Sequence, residues 1–244
     1  SNTFQDQDYK LGSLCHPSAA VRAKAVRAII ECCEITAATG SKVVKVWLGD
    51  GTNYPGQDDM RWRRHRLVEG LREIYPHLPA DVRMFLEYKL YEPALYSTDV
   101  QDWGQALSVC RAVGEQAAVC VDTGHHAMGV NIEQIVAILL AEGRLGGFDL
   151  NDKKYGDDDL MVGSIDPYQL FRIAHELVNA LRDDADPVSR RCASEVVYML
   201  DQCHNIEPKI PAMIRSVMNL QETMAKALLV DREALLAAQA GGDV

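Results

Sequence analysis

Cys120-Val121-Asp122-Thr123-Gly124-His125-His126, entered from the apolar run 117–121, is the stretch on which the reading of this chain turns. A short apolar run that closes on a carboxylate reads as a buried strand with Asp122 at its carboxyl end. The imidazole of His125 follows three residues later, so an oxygen and a nitrogen ligand can reach one cation from a strand end and the next turn. Standing alone, the pair is more commonly an Asp capping its own turn beside a loop histidine. The flanking sequence decides between the two.

Working outward, the same cycle recurs on both sides. Upstream, residues 83–87 (RMFLE) read as a strand, 89–99 as a loop and 103–113 as a helix in which Trp103 packs. Further back, 42–48 (KVVKVWL) is β-rich, 49–59 is a Gly/Asn/Pro loop, and 61–75 is a basic amphipathic helix that Pro76 ends. Before them, Val21, Ala25, Ile29 and Cys32 recur at helical spacing over 19–39, with Gly40 as the stop. Downstream, Asn131 caps a helix over 132–142, 146–150 (GGFDL) is a strand, and 151–166 is a long loop. Asp166-Pro167 opens a helix that runs to Leu181. Residues 182–189 read as a polar connection, 195–201 (EVVYMLD) as a strand, and 210 onward as helix.

Short strands alternating with longer helices imply right-handed crossovers and a parallel sheet. Both a doubly wound sheet and a (β/α)₈ barrel satisfy that pattern, and no G-x-G-x-x-G or Walker phosphate loop favours the first. Five strands are legible where a barrel needs eight. The chain opens on Ser1-Asn2-Thr3-Phe4 without an initiator methionine and closes on Ala240-Gly241-Gly242-Asp243-Val244 after an unfinished helix. The expectation is therefore one partial barrel domain over 1–244, a piece of a longer protein.

Composition narrows the class. With 48% hydrophobic residues in 244, a large core is available, and a formal charge of -10 argues against nucleic acid and anionic membranes as partners. No apolar run approaches the ~20 residues of a membrane span, and the start is not a signal peptide. Seven scattered cysteines without a C-x-x-C pair read as reduced thiols in the cytoplasm.

Four predicted strands end in or next to an acid: Glu87, Asp122, Asp149 and Asp201. In a barrel those ends share one face, where four carboxylates repel unless a cation or protons neutralise them. Asp157 and Asp159, alternate members of an acidic triplet, join His125 as a second ligand set. Oxygen-rich sites with one imidazole suit Mn²⁺, Mg²⁺ or Co²⁺. Lys89 lies two residues beyond Glu87 and shares its face on an extended segment, as a counter-ion or as a group that polarises a substrate oxygen. Trp47 either walls a sugar pocket or belongs to the core. His204 reads as a loop histidine.

Here the residues resemble a known family. LEYKLYEP (86–93), VDTGHH (121–126), GGFDLNDKKYGDDDL (146–160) and MLDQCHN (199–205), with SNTFQD at the start and DGTNYPGQDD (50–59), resemble bacterial-type L-rhamnose isomerase of the xylose-isomerase-like barrel superfamily. The resemblance implies a (β/α)₈ TIM barrel of which this chain holds about strands four to eight. It implies two divalent cations, Mn²⁺ first. One would be held by Glu87, Asp122, Asp149 and Asp201, the other by Asp122 as bridge with His125, Asp157 and Asp159. Lys89 and Asp201 would be catalytic, and Trp47, Lys89 and His125 would bind the sugar. The implied enzyme is a cytoplasmic homotetramer that interconverts aldose and ketose by a metal-assisted hydride shift between C1 and C2. At the position of Asp149 some members carry His, so metal preference is open. The competing readings are a metal-dependent hydrolase or endonuclease on the same barrel, and an inactive fragment.

Overall fold

The computed structural model describes residues 6–92, 96–203 and 206–243. The Ser1–Phe4 opening, Pro93 and His204 lie outside them. Seven strands and eight α-helices follow in chain order: α1 (Ala19–Thr39), β1 (Val43–Val46), α2 (Met60–Ile74), β2 (Arg83–Glu87), β3 (Tyr91–Glu92), β4 (Tyr96–Ser97), α3 (Trp103–Val113), β5 (Ala117–Asp122), α4 (Ile132–Ala141), β6 (Leu145–Leu150), α5 (Pro167–Leu181), α6 (Pro187–Ser194), β7 (Val197–Leu200), α7 (Lys209–Leu228) and α8 (Arg232–Gly241). Five strands form one parallel sheet in the order β1-β2-β5-β6-β7, curled as a half-barrel. Among the described residues, β1 and β7 end the sheet.

The period of two along each strand separates the two faces. Val44, Val46, Met84, Leu86, Val119, Val121, Phe148 and Leu150 point outward and pack with Ile29, Leu67, Leu71, Leu139 and Ile173 of the helices. Phe85, Ala118 and Cys120 form a separate cluster on the concave face, against Val43, Val197 and Met199. Sheet and helices thus bury each other, and β5 and β6 are buried along their whole length. Gly146 is the extra residue of a bulge between β5 and β6. A side chain there would meet the Phe85 ring at 2.6 Å, so the ring lies on bare β6 backbone.

Aspartates set the helix starts. Asp59, Asp102, Asp166, Asp186 and Asp231 accept backbone N–H groups at the starts of α2, α3, α5, α6 and α8, and Asn131 does so for α4. Five of the 35 acidic residues are therefore structural caps. Replacing Asp166, which accepts from Gln169 N at 2.8 Å, by Ala should lower stability by about 1 kcal/mol. Urea unfolding of the two proteins checks this, and an unchanged midpoint would refute the cap.

The structure corrects three local readings. Residues 182–189 are not merely a connection: Asp186-Pro187 opens α6, the same Asp-Pro start that was legible at 166–167. The 89–99 loop carries the antiparallel pair β3–β4. The C-terminal helix is two helices, broken where Asp231 caps the second. No described helix is long and apolar enough to cross a membrane.

Candidate active site

Parallel strands deliver their carboxyl ends to one rim, and the acids arrive together. Glu87 ends β2, Asp122 ends β5, Asp149 is next to last in β6, and Asp201 follows β7 directly. Asp122 and Asp149 are register partners across β5 and β6. Ligand oxygens of all four lie within 4.8 Å of one another. Glu87, Asp122 and Asp149 are buried, whereas Asp201 is exposed at the edge of the group.

Asp122 is the centre. Its Oδ1 accepts from Gly124 N at 2.7 Å and from Asn151 Nδ2 at 2.9 Å. Its Oδ2 is buried and has no hydrogen-bond partner. A buried carboxylate oxygen left unpaired is costly, and a cation bound there would remove the cost. Gly124 keeps the turn tight, because a Cβ would stand 2.6 Å from Asn151 Oδ1.

His125 links the strand-end acids to the acidic loop. Its Nδ1 lies 2.9 Å from Tyr88 O and 3.4 Å from Glu87 Oε1, and its Nε2 lies 3.3 Å from Asp157 Oδ1 and 3.7 Å from Asp122 Oδ2. Lys89 Nζ pairs with Asp157 Oδ2 at 2.8 Å and sits 5.4 Å from the Trp47 ring centre. Trp47 is therefore a half-buried platform facing the site rather than a fully buried core residue. Lys89, Tyr91, His125, His126 and Asp157 line a cavity of about 310 Å³ beside these groups. Asp158, between the two acids singled out in the loop, holds the loop itself in shape by accepting the N–H groups of Lys154, Tyr155 and Gly156. Asp159 adopts φ 49°, a left-handed conformation that Asp tolerates.

The charges respond to this crowding. Burial pushes Glu87 up to about 8, opposed by Lys45 and reinforced by Asp149. Burial likewise raises Asp122 to about 6 and Asp159 to about 7, the latter also through Asp157. Burial works against a charged His125, yet its bond to Asp157 and the nearby Asp122 and Glu87 lift it to about 9. Asp157 is also opposed by burial but falls well below the usual carboxylate range through His125 and Lys89. His126 is driven down to about 3 by burial and by Lys153, so it is neutral and its Nε2 accepts a hydrogen bond from the Tyr88 hydroxyl at 2.6 Å.

All seven acid and imidazole residues singled out in the sequence lie at this rim, with Lys89 and Trp47 beside them. Three participants were missed. Asn151 and Tyr88 hold Asp122, His125 and His126 in place, through contacts that depend on the path of the loops. Lys45 projects from β1 into the concave face, 3.1 Å from Glu87 Oε2 and ion-paired with Asp149 Oδ2. The alternation of KVVKV puts Val44 and Val46 outward and Lys45 inward, a signal that was available.

A second cluster, Cys15, Asp50 and Asp99, is of a different kind. Ser13 donates its N–H and hydroxyl to Asp50, while Arg63 donates to Asp99 at 2.7–3.1 Å, to Asp58 and to Leu11 O. Those carboxylates are satisfied within the protein, so the DGTNYPGQDD stretch ties the N-terminal segment to α2.

Comparison with known proteins agrees with the fold. Residues 2–178 match the family model described as xylose isomerase-like TIM barrel. The chain is 46% identical to a probable sugar isomerase of Mesorhizobium japonicum and 45% identical to one of Rhizobium meliloti, in each case over 100% of this chain and 56% of the relative. It thus spans about half the length of these curated relatives. A xylose isomerase of Thermus thermophilus is 28% identical over 67% of this chain and 44% of its own. Among solved structures, the D-psicose 3-epimerase of Clostridium cellulolyticum, crystallised with D-tagatose, superposes with a TM-score of 0.61 at 14% identity, covering 88% of this chain and 74% of that one. A xylose isomerase domain protein of Alicyclobacillus acidocaldarius superposes at 0.60 and 17% identity, covering 87% and 75%. The chain belongs to the xylose isomerase-like TIM barrel family.

Proposed function

We propose that this chain is the catalytic part of a divalent-cation-dependent aldose–ketose isomerase acting on L-rhamnose or a closely related aldose, with Mn²⁺ as first-choice ion. The carrying observation is the buried Oδ2 of Asp122, which no hydrogen bond satisfies, amid Glu87, Asp149, Asp201 and His125. The two relatives of about half-identical sequence support the sugar, and the four quoted motifs support L-rhamnose among sugars. The reading includes a cytoplasmic homotetramer, by the same resemblance.

The donor sets fit hard divalent ions: carboxylate oxygens from Glu87, Asp122, Asp149 and Asp201 on one side, and from Asp122, Asp157 and Asp159 with the His125 imidazole on the other. When bound, such an ion supplies Lewis-acid polarisation of neighbouring substrate oxygens. In the reaction a hydride, hydrogen with its bonding pair, moves from C2 to C1 and a proton moves from O2 to O1, so C2 is oxidised, C1 reduced and no outside oxidant is needed. Lys89, fixed by Asp157 and by the Trp47 face, donates a hydrogen bond to O1 as negative charge grows there. Trp47 presents its ring to the apolar side of the sugar. Asp201, exposed at the edge of the cluster, accepts from a substrate hydroxyl. The test is ketose formation from L-rhamnose and a panel of aldoses with Mn²⁺, and with a chelator in its place. Mn²⁺ bound without ketose from any aldose would overturn the isomerase reading and favour a hydrolase.

Acidity should control the ion. Glu87, Asp122 and Asp159 have folded values above their ordinary ones, so the stability they contribute is present at low pH and lost as pH rises through about 6 to 8. Over the same range they become available as carboxylates, and His125 releases its proton on ligation. The rise in Tm caused by Mn²⁺ should therefore be small at about pH 5.5 and large at about pH 8. Thermal melts with and without Mn²⁺ check the sign, and an increment that is flat or falls with pH would exclude these ligands.

A further inference from the structure

We infer that Lys45 is a built-in cation holding the Glu87–Asp149 side of the acid cluster, so that this chain takes one divalent ion where the resemblance implies two. The inference rests on the metal reading above and deepens it.

The two potential ligand groups overlap. One is Glu87, Asp122, Asp149 and Asp201; the other is Glu87, Asp122 and His125. Lys45 engages Glu87, which the two groups share, and Asp149, which belongs only to the first. Its ammonium lies 3.1 Å from Glu87 Oε2 and pairs with Asp149 Oδ2. The other oxygen of Glu87, Oε1, faces His125 at 3.4 Å. Glu87 thus divides its two oxygens between Lys45 and the imidazole side.

The placement of Lys45 comes from the strand and not from a mobile surface arm. It lies in β1 between outward-facing Val44 and Val46, with its Cα opposite Phe85 in register. Its ammonium reaches Glu87 at the end of β2 and Asp149 near the end of β6. An ammonium there excludes a divalent ion from the oxygens it holds, Glu87 Oε2 and Asp149 Oδ2, because the two cations would share them at like-charge contact distance. The unpartnered oxygen of Asp122 faces the side that remains, with His125 Nε2 at 3.7 Å and Asp157 beyond it. Lys45 fills one place, whereas the other is lined by His125, an imidazole whose nitrogen can itself ligate a metal.

The experiment counts ions. Wild type, Lys45→Ala and Lys45→Arg are equilibrated with Mn²⁺ and titrated calorimetrically, with metal content measured after dialysis and folding checked by circular dichroism. The expected counts are one Mn²⁺ per chain for wild type and Lys45→Arg, and two for Lys45→Ala. Two ions in the wild type, or one in folded Lys45→Ala, would overturn the inference while leaving the metal reading intact. No ion in the wild type would end both. If Lys45→Ala does not fold, Lys45→Gln, which keeps most of the stem and removes the charge, takes its place with the same expected gain of one ion.

Discussion

Asp122→Asn should stay folded and lose at least about 100-fold in Mn²⁺ affinity, the largest single effect expected at this site. The amide keeps an oxygen for Gly124 N, so the turn that follows β5 survives. The loss is of the second oxygen, the buried one that no hydrogen bond satisfies. The metal-free protein should move the opposite way. Burial raises Asp122 to about 6, so at higher pH the wild type carries an ionised carboxylate in a place that disfavours it. The stability this group contributes is complete below its unfolded value and is lost as pH rises through about 6. The Asn variant suffers no such loss, and without metal it should be the more stable protein near pH 8, by on the order of 1–3 kcal/mol. Calorimetric titration and metal-free melts measure both halves. Wild-type affinity in the variant would remove Asp122 from the centre of the site.

Lys89→Met should lower kcat by about 10²–10³-fold while Mn²⁺ binding changes little. The ammonium is held by Asp157 at 2.8 Å and lies over the Trp47 face, next to the cavity. Methionine keeps the length of the side chain and removes the donor. The separation of kcat from metal content is what matters, because a counter-ion of Asp157 would show the reverse. If the variant loses metal in step with activity, Lys89 serves to hold Asp157 and does no chemistry on the substrate.

The two variants probe residues that were legible in different ways. Asp122 announced itself locally, as the end of an apolar run with a His in the next turn. Lys89 was legible only as the second residue after a strand-end acid, and its role turns on Asp157, a residue from a loop far along the chain. Lys45 passed as one more polar position in a β-rich run, although its alternation with valines already turned it inward. Asp157, Asp158 and Asp159 looked like one acidic tract, yet Asp158 folds the loop on three backbone N–H groups and leaves the outer pair to the site. Asp186-Pro187 was overlooked for a plainer reason, since a helix as short as α6 shows too little periodicity to stand out from a polar linker.

What the amino-acid order determined by itself is the succession of strands and helices, the parallel sheet, and the habit of ending strands on acids. Hydrophobic period, Asp and Asn caps, and Gly and Pro stops all act within a few residues, so they can be read without knowing where the chain goes next. Only the tertiary structure decided which acids share a cation and which are already satisfied. Asp50 and Asp99 are answered by Ser13 and Arg63, Glu87 and Asp149 by Lys45, and one oxygen of Asp122 by no hydrogen bond, with the His125 imidazole 3.7 Å away. Those pairings span tens of residues and follow from sheet register and curl, which set distances of a few ångströms between groups that local sequence leaves unrelated.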